Sequence, residues 1–344
     1  MDARSSILGM NTTELQAIVL ELGMPKFTAK QIAQWVYQKQ AATFDEMTNI
    51  SKRHRDLLAE RFVVGRMLAK EVHTSKDGTI KYLFPTEDGQ SVETVYIPEK
   101  DRATLCVSSQ VGCKMNCLFC QTGKQGFHGN LTTADILNQI FSIDQPESLT
   151  NIVFMGQGEP LDNYDALMKA IGLLTSAEGW GWSPKRITVS TVGLKKNLKR
   201  FVEESECHLA VSMHFPFHET RLQYMPAERQ YGIEEIVELL SQYDWSHQRR
   251  LSFEYTMFDG VNDSMVFAKE IVRLLKNLDC RVNLIRYHRI PDIALEDTQM
   301  PKMTAFRDYL TKHGVYTTIR TSRGQDIEAA CGMLISKDGV GIGE

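Results

Sequence analysis

Three cysteines, Cys113, Cys117 and Cys120, lie within a short stretch of the chain in the pattern C-x3-C-x2-C. Three thiolates at this spacing can hold three corners of a cubic [4Fe–4S] cluster and leave the fourth iron without a protein ligand. An iron with a free position can bind a small molecule and reduce it, whereas a cluster with four cysteine ligands mainly transfers electrons. The spacing therefore predicts a cluster that takes part in chemistry on a bound ligand.

Two other interpretations of the cysteines remain open at this stage. A zinc site could form if Cys106, Cys207 or His128 supplied a fourth ligand. Disulfides are less favoured, because seven cysteines is an odd number and no segment marks the chain as secreted.

A glycine-rich loop, Gly156–Pro160, follows the second predicted strand of the main sheet. An open iron suits a ligand with both an amine and a carboxylate, such as a free amino acid or the methionine part of S-adenosylmethionine. Glu159 could accept hydrogen bonds from the ammonium group, and Gly158 would let the backbone approach closely. The alternative is a plain turn in which Pro160 begins a helix.

Further polar residues stand near the ends of predicted strands. Ser190, Ser212 and His214 could hold a ribose or a carboxylate, although each of them is also a common kind of strand-end residue. Cys331 lies among alanines and a glycine that leave its thiol accessible, and Cys106 precedes the cysteine triplet on an inner strand. A lone cysteine is more often a small buried apolar residue.

The elements that position these residues alternate between strand and helix. Predicted strands cover residues 105–107, 152–155, 187–189, 209–213, 251–257, 282–285 and 316–319, and predicted helices 134–143, 164–174, 233–243, 265–275 and 304–313. Repeated β-then-α units indicate an α/β fold with a parallel sheet. Six or seven strands are too few for a closed eight-stranded barrel, so we expect a partial, open β/α barrel whose strand carboxyl ends gather the polar residues.

The chain is predicted to have three parts. Residues 1–70 form a small helical unit, residues 71–100 a β-hairpin linker, and residues 101–344 the barrel with the Cys331 loop near its end. The helical unit carries ten Lys/Arg against seven Asp/Glu, about +3, and the net charge of the whole chain is −4. This balance alone does not indicate a nucleic-acid partner, and the run Lys52–Arg55 is also consistent with a solvated helix face.

Composition restricts the class of protein. The 344 residues are 42% hydrophobic and 24% charged, which is ordinary for a globular protein. No apolar run approaches the ~20 residues of a membrane span, and the first residues lack a signal-peptide core. We therefore expect a cytoplasmic protein without membrane contact, in a reducing compartment where clustered cysteines bind metals.

Several motifs together resemble the RlmN/Cfr family of radical S-adenosylmethionine RNA methyltransferases. They are the cysteine triplet with Phe119 before its last member, the Gly-Glu-Pro loop, and residues 92–98, 101–113, 259–263 and 326–332. The resemblance runs over nearly the whole chain and implies a radical SAM type of partial barrel, with an N-terminal helical domain that helps bind RNA.

The resemblance also implies a reaction. Cys113, Cys117 and Cys120 would hold a [4Fe–4S] cluster, and two molecules of S-adenosylmethionine would be used per turnover. One methylates Cys331, and the other gives a 5′-deoxyadenosyl radical that activates this methyl group for addition to an adenine. Cys106 would then release the RNA and leave a transient disulfide with Cys331, and Glu93 would accept a proton.

The family pattern further assigns cofactor contacts to Gly158, Glu159, Ser190, Ser212, Met213, His214 and His288. The chain departs from the pattern at His288, where asparagine is usual, and at Gln157, where methionine is common. An imidazole can still make one hydrogen bond at the first of these positions.

The implied substrates are an adenosine of 23S rRNA in the peptidyl transferase centre and an adenosine beside the tRNA anticodon. Residues 92–98 and 101–106 look more like RlmN, which methylates C2, than Cfr, which methylates C8. We expect a monomer that takes electrons from a flavodoxin-like or ferredoxin-like donor. A zinc-containing RNA-binding protein without catalysis and a radical enzyme acting on a small molecule are the competing hypotheses.

Overall fold

The computed structural model describes residues 4–247 and 249–335. Its α-helices are α1 Thr12–Glu21, α2 Thr28–Ala33, α3 Lys52–Arg61, α4 Gln121–Gln125, α5 Thr133–Phe141, α6 Tyr164–Thr175, α7 Lys195–Glu204, α8 His218–Tyr224, α9 Ile233–Leu240, α10 Met265–Leu275 and α11 Met300–Lys312. Its strands are β1 Ser5–Ser6, β2 Phe62–Val63, β3 Glu71–Thr74, β4 Ile80–Pro85, β5 Ser91–Pro98, β6 Ala103–Cys106, β7 Gln110–Gly112, β8 Phe127–Asn130, β9 Asn151–Phe154, β10 Ile187–Thr191, β11 His208–Ser212, β12 Leu251–Met257, β13 Arg281–Arg286 and β14 Tyr316–Ile319.

The N-terminal part is mostly helical, as the sequence predicts. Helix α1 begins with a capping box in which the side chains of Asn11 and Glu14 each accept a hydrogen bond from the other residue's backbone. Such a box satisfies backbone N–H groups that have no partner inside the helix. The short parallel pair β1–β2, which the sequence did not indicate, closes this part by joining its two ends.

Ten strands of the described residues form one sheet in the order β14-β13-β12-β11-β10-β9-β6-β5-β4-β3. Strands β6 and β9 to β14 are parallel and stand in chain order, so each crossover advances by one neighbour. The two edges, β14 and β3, do not pair with each other. This arrangement is the open α/β barrel that the alternation of strands and helices predicts.

The segment from β3 to β5 extends the same sheet rather than standing apart from it. Strand β5 pairs antiparallel with β6, and residue Val95 lies opposite Cys106. Strand β3 adds a further strand to the predicted hairpin. As a result, Glu93 of β5 is placed beside the strand that carries Cys106.

The core separates the sheet from the outer helices. Helices α6 and α9 each bury one face, and helix α5 is buried along almost its whole length. Phe154 and Val189 of the sheet are fully buried. Across residues 4–247 and 249–335, every helix is too short or too polar to cross a lipid bilayer.

Candidate functional site

The cysteine triplet occupies the loop between β7 and α4. The backbone N–H of Cys113 donates to the carbonyl of Gly126 at 2.8 Å, and the N–H of Cys120 donates to the carbonyl of Cys117 at 3.1 Å. Gly112, with φ +71°, turns the chain into this loop. The backbone of Gly126 lies so near that a Cβ atom on residue 112 would be 1.7 Å from the Gly126 carbonyl oxygen. The loop is therefore fixed by its own backbone, and its thiols do not have to hold it together.

All three thiols line one cavity of about 160 Å³, here called the cysteine pocket. Burial raises the pKa of Cys113 to about 12 and that of Cys117 well above its ordinary value. Thiolates at such positions need a nearby positive charge, and a coordinated metal supplies it. The donor set thus fits an iron–sulfur cluster with three cysteine ligands and an open side toward the pocket.

The alternative zinc site is not assembled. In the described part of the chain, no three His, Cys, Asp or Glu side chains lie close enough together to hold a single metal ion. Cys106 lines a different cavity, Cys207 is buried at the start of β11, and His128 lies within hydrogen-bonding distance of the Gln125 carbonyl. The ligands of a cubic cluster stand further apart than those of one ion, so the same geometry is compatible with a cluster.

The predicted Gly-Glu-Pro loop forms another wall of the cysteine pocket. Glu159 is buried, and its two carboxylate oxygens accept hydrogen bonds from the backbone of Leu161 at 3.1 Å and Val192 at 2.8 Å. Burial raises its pKa to about 7. The Thr191 side chain is a third hydrogen-bond partner of this carboxylate. A carboxylate offers about four acceptor sites, so Glu159 both fixes the loop and can still receive a ligand.

Gly158 is tightly packed in this loop. Its φ is +96°, and a Cβ atom there would lie 2.5 Å from the Cβ of Gln110. We expect Gly158→Ala to destabilise the fold by about 1–3 kcal/mol, because alanine tolerates neither this backbone conformation nor this contact. Thermal and denaturant unfolding would measure this loss of stability.

Gly172→Ala is the matched control for this prediction. Gly172 lies inside helix α6, and a Cβ atom there meets nothing within 4 Å. The control should stabilise the protein by about 0.5–1 kcal/mol, since alanine is the better helix former. If Gly158→Ala behaved like this control, the close approach of the loop would not matter.

Other predicted contacts lie at the carboxyl ends of β10 and β11. Ser190, Ser212 and His214 line the cysteine pocket, whereas the Met213 side chain is fully buried and does not. Burial lowers the pKa of His214 to about 3, and its Nδ1 accepts a hydrogen bond from the Thr256 N–H at 3.0 Å. The neutral ring therefore carries its proton on Nε2 and can donate it to a ligand.

A buried arginine fixes the ends of these strands. Arg221 donates to the carbonyls of Val192 at 3.0 Å, Ser212 at 3.1 Å and Met213 at 3.1 Å, and forms an ion pair with Glu228. Because its charge is fully buried, the hydrogen bonds and the ion pair are needed to offset desolvation. Arg221 is thus a positioning residue for the pocket, and no local sequence pattern marks it.

A second, larger cavity of about 600 Å³ runs through the barrel and is here called the barrel cavity. Cys106 and His288 line it, so His288 lies on a different cavity from the other predicted cofactor contacts. Cys331 lines both cavities. The thiol that the sequence singled out for its accessible loop therefore stands where the two spaces meet.

The loop that carries Cys331 is attached to the cluster loop. The N–H of Gln121 donates to the carbonyl of Gly332 at 2.7 Å, and the Thr122 hydroxyl donates to the carbonyl of Leu334 at 2.8 Å. Although Cys331 has solvent-accessible surface in the cavities, protein surrounds it, and burial raises its pKa. Arg320 is the cation that acts in the opposite direction.

Arg320 and Glu254 form an ion pair next to the two thiols, with 3.2 Å between guanidinium and carboxylate. The Arg320 charge also favours the thiolate of Cys106, whose pKa burial raises to about 12. The second Glu254 oxygen is buried and has no hydrogen-bond partner among the described residues. Glu254 as a residue lines the cysteine pocket, so this oxygen lies at the pocket wall without a protein partner.

Glu93, like Met213, is a predicted site residue that lies outside both linings. Its carboxylate accepts a hydrogen bond from the Ile335 N–H at 2.7 Å and pairs with Lys81 at 3.0 Å. Alternation along β5 places Glu93 on the same face of the sheet as Val95, which lies opposite Cys106. Glu93 therefore lies on the same sheet face as Cys106, without lining either cavity.

Sequence reasoning missed Arg320, Glu254 and Arg221. Arg320 directly follows β14 and Glu254 lies inside β12, so strand alternation with an inward-facing charge was the only sign that could have revealed them. Arg221 stands in the short helix α8, where no periodic pattern marks it.

The comparisons with known proteins agree with this geometry. Residues 107–283 match the Radical SAM superfamily, and residues 5–64 match the ribosomal RNA large subunit methyltransferase N-terminal domain. A radical SAM methyltransferase from Sphaerobacter thermophilus has a crystal structure that superposes with a TM-score of 0.92 at 38% identity, over 97% of this chain and 100% of that one. The fold and the cysteine loop thus define a radical SAM enzyme.

Relatives in sequence narrow the class. A probable dual-specificity RNA methyltransferase RlmN of Bacteroides fragilis is 60% identical over 95% of both chains. The dual-specificity RNA methyltransferase RlmN of Marinobacter nauticus is 41% identical over 96% of this chain and 93% of its own. The chain belongs to the RlmN family of radical SAM RNA methyltransferases.

Proposed function

We propose that this enzyme methylates C2 of an adenosine in the peptidyl transferase centre of 23S rRNA and of an adenosine beside the anticodon in tRNA. The observation that carries the proposal is the position of Cys331 on both the cysteine pocket and the barrel cavity. C2 of adenine is neither acidic nor strongly nucleophilic, so polar methyl transfer does not suit it. A thiol between a radical-generating site and a base-sized space suits methylation of this carbon by a radical route.

The residues of the cysteine pocket are proposed to hold the cofactors. Cys113, Cys117 and Cys120 would bind a [4Fe–4S] cluster, and S-adenosylmethionine would contact Gly158, Glu159, Ser190, Ser212, Met213 and His214, with His288 reaching it from the barrel cavity. When bound and reduced, this pair supplies a 5′-deoxyadenosyl radical. Met213 would contribute its backbone, because its side chain points into the core.

Cys331 is proposed to carry the methyl group. Its thiolate would attack the methyl carbon of one S-adenosylmethionine and displace S-adenosylhomocysteine. A second molecule would then be used for the radical step, so two are consumed per turnover. Arg320 favours this thiolate against the cost of burial. Because Cys331 faces both cavities, the methyl sulfur can be reached from the cofactor side and from the base side.

Cys106 and Glu93 are proposed to complete the reaction. Cys106 lines the barrel cavity next to the Cys331 loop, with Ala329 and Leu334 packed against it. After the adduct has lost its unpaired electron to the oxidised cluster and its ring proton to a base, the Cys106 thiolate would attack the sulfur of Cys331. The S–C bond would break, the released methyl carbon would take up a proton, and a Cys106–Cys331 disulfide would remain for later reduction. Glu93, on the same sheet face, would accept the proton that leaves the base.

We further propose that the enzyme is a monomer supplied with single electrons by a flavodoxin-like or ferredoxin-like donor. Radical chemistry at the cluster requires a reductant, and none of the described side chains can replace it. Family membership supports this assignment, and the helical residues 1–70 are proposed to contribute to RNA binding together with the barrel.

Cofactor affinity is expected to depend on pH through Glu159. The raised pKa of about 7 means that the carboxyl group is protonated below this value and charged above it. A ligand ammonium group prefers the carboxylate, so S-adenosylmethionine should bind more tightly as pH rises from 6 to 8. Titrations of reconstituted enzyme across this interval should show the trend, and Glu159→Gln should flatten it. An equally steep profile in that variant would assign the proton elsewhere.

Product analysis tests the proposed function. Reconstituted enzyme, reductant and S-adenosylmethionine would be incubated with unmodified 23S rRNA or a tRNA transcript, and nucleosides would be separated by chromatography and mass spectrometry. 2-methyladenosine supports the proposal. 8-methyladenosine would instead indicate Cfr-like regiochemistry, and the absence of any methylated nucleoside would overturn it.

A further inference from the structure

The barrel cavity has two ends of different character. Cys331, His288 and Arg320 lie toward the carboxyl ends of the strands, where the cysteine pocket begins. At the other end, the lining consists of residues that precede or begin six strands. They are Arg102 before β6, Asn151 of β9, Lys185 before β10, His208 of β11, Arg250 before β12 and Arg281 of β13.

This amino-terminal rim is strongly basic. Arg102, Lys185, Arg250 and Arg281 are exposed and line the cavity, and Glu99 is the carboxylate that shares it, paired with Arg102 at 2.9 Å. Within residues 4–247 and 249–335, no carboxylate lies within ion-pairing distance of the other three. The rim thus carries an excess of positive charge, although the net charge of the whole chain is −4.

Burial and the close spacing of these cations lower the pKa values of basic groups in the rim. Burial and then the charges of Arg250, Lys185 and Arg281, among others, lower the pKa of His208 to about 4. Burial and the charges of Arg281 and Arg102 lower the pKa of Arg250. Like charges brought together at the mouth of a cavity concentrate a positive potential that attracts a polyanion.

The carboxyl-terminal end of the cavity is the less accessible route for a large substrate. There the Cys331 loop is bound to the cluster loop through the carbonyls of Gly332 and Leu334. Cofactors in the cysteine pocket would fill the space beyond it. The amino-terminal rim is the end that opens between strand starts, away from the cofactor site.

We infer that RNA docks on the amino-terminal rim, with phosphates near the target nucleotide bound by Lys185, Arg250 and Arg281, and that the target adenine extends through the barrel toward Cys331. This inference rests on the proposed function. It places the RNA at the opposite end from the side on which barrel enzymes usually admit substrates. The adenine must leave its stack to reach so far inside, as it does in other enzymes that modify bases.

Salt dependence of RNA binding tests the phosphate contacts. The affinity of reconstituted enzyme for a tRNA transcript would be measured by filter binding between 50 and 200 mM salt. The slope of log K against log salt should become shallower by about 0.7 to 1 in each of Lys185→Ala, Arg250→Ala and Arg281→Ala. The reason is that RNA binding by a variant with one phosphate contact fewer releases one counterion fewer. In the double variant R250A/R281A, the slope should decrease by about twice that amount.

Two controls separate charge from structure. Arg250→Lys and Arg281→Lys keep the charge and should keep the slope, even though the second loses the stacking of Arg281 on Tyr316. Lys269→Ala removes an exposed lysine from α10, on the outer helical layer, and should leave the slope unchanged. If the rim variants behaved like Lys269→Ala, the rim would not bind RNA and the inference would be wrong.

A blocked barrel tests the path of the base. Thr188 of β10 lines the cavity near the rim, and Thr188→Trp should fill the passage. RNA methylation should fall by about 10²-fold, the loss expected when a substrate is misplaced, whereas methylation of Cys331, which needs no RNA, should continue. Thr188→Ser should retain both reactions. Normal RNA methylation in Thr188→Trp would refute passage through this end.

The outcomes also distinguish a failure of this inference from a failure of the proposed function on which it rests. If the wild-type enzyme produced no methylated adenosine, the proposed function and the inference would fail together. If it produced 2-methyladenosine while the rim variants kept the wild-type slope, the docking surface alone would be wrong. Should Thr188→Trp fail to fold, as seen by thermal unfolding, the salt slopes of the rim variants decide.

Discussion

Replacing Cys331 with alanine is expected to reduce RNA methylation by at least about 10³-fold, the scale seen when a covalent nucleophile is removed. The methyl group then has no sulfur on which to cross from the cysteine pocket to the barrel cavity. Cys113, Cys117 and Cys120 are untouched, so iron and acid-labile sulfide contents should equal those of wild type. Methylated nucleosides and metal would be measured on the same anaerobic preparation.

Cys280→Ala is the matched control for this variant. Cys280 precedes β13 and lines neither cavity, so both methylation and cluster content should persist. Turnover in Cys331→Ala at the wild-type rate would exclude a covalent carrier. Loss of iron in that variant would instead assign Cys331 to the cluster.

The second large effect is expected for Cys106→Ala. With no thiol to attack the sulfur of Cys331, the RNA should remain joined to the protein through the transferred carbon. Labelled RNA should therefore migrate with the protein on a denaturing gel, and release of free methylated RNA should fall by at least about 10²-fold, the scale of losing a positioned reactive group.

The double variant C106A/C331A removes the carrier as well and should give no adduct. Free methylated RNA at the wild-type rate from Cys106→Ala would contradict a resolving role for this thiol. An adduct in the double variant would place the covalent link on another residue.

Much of the fold could be predicted from local sequence. The seven predicted strand regions of the barrel each contain a strand. They were predictable because strands buried in a parallel sheet have short, continuous apolar sequences between helical patterns. The cysteine loop and the Gly-Glu-Pro loop were recognisable because their chemistry is contained in a few adjacent residues. Glycines such as Gly158 mark these turns for the same reason.

Residues that act through distant contacts could not be found in this way. Arg320 and Glu254 are 66 positions apart in the chain and form a pair at 3.2 Å. Arg221 joins the ends of β10 and β11 from a helix that follows them. Local patterns contain no information about such pairs, because the sheet register decides which strand ends meet.

The sequence by itself determined the spacing of the cysteine triplet, the alternation of strands and helices, and the family. Only the tertiary structure decided that Cys331 borders two cavities, that Glu93 shares a sheet face with Cys106, and that separated cations form one rim at the strand starts. The physical reason is that parallel pairing in chain order aligns the starts of all the strands at one end and their ends at the other. Residues that are far apart in sequence then share a single opening.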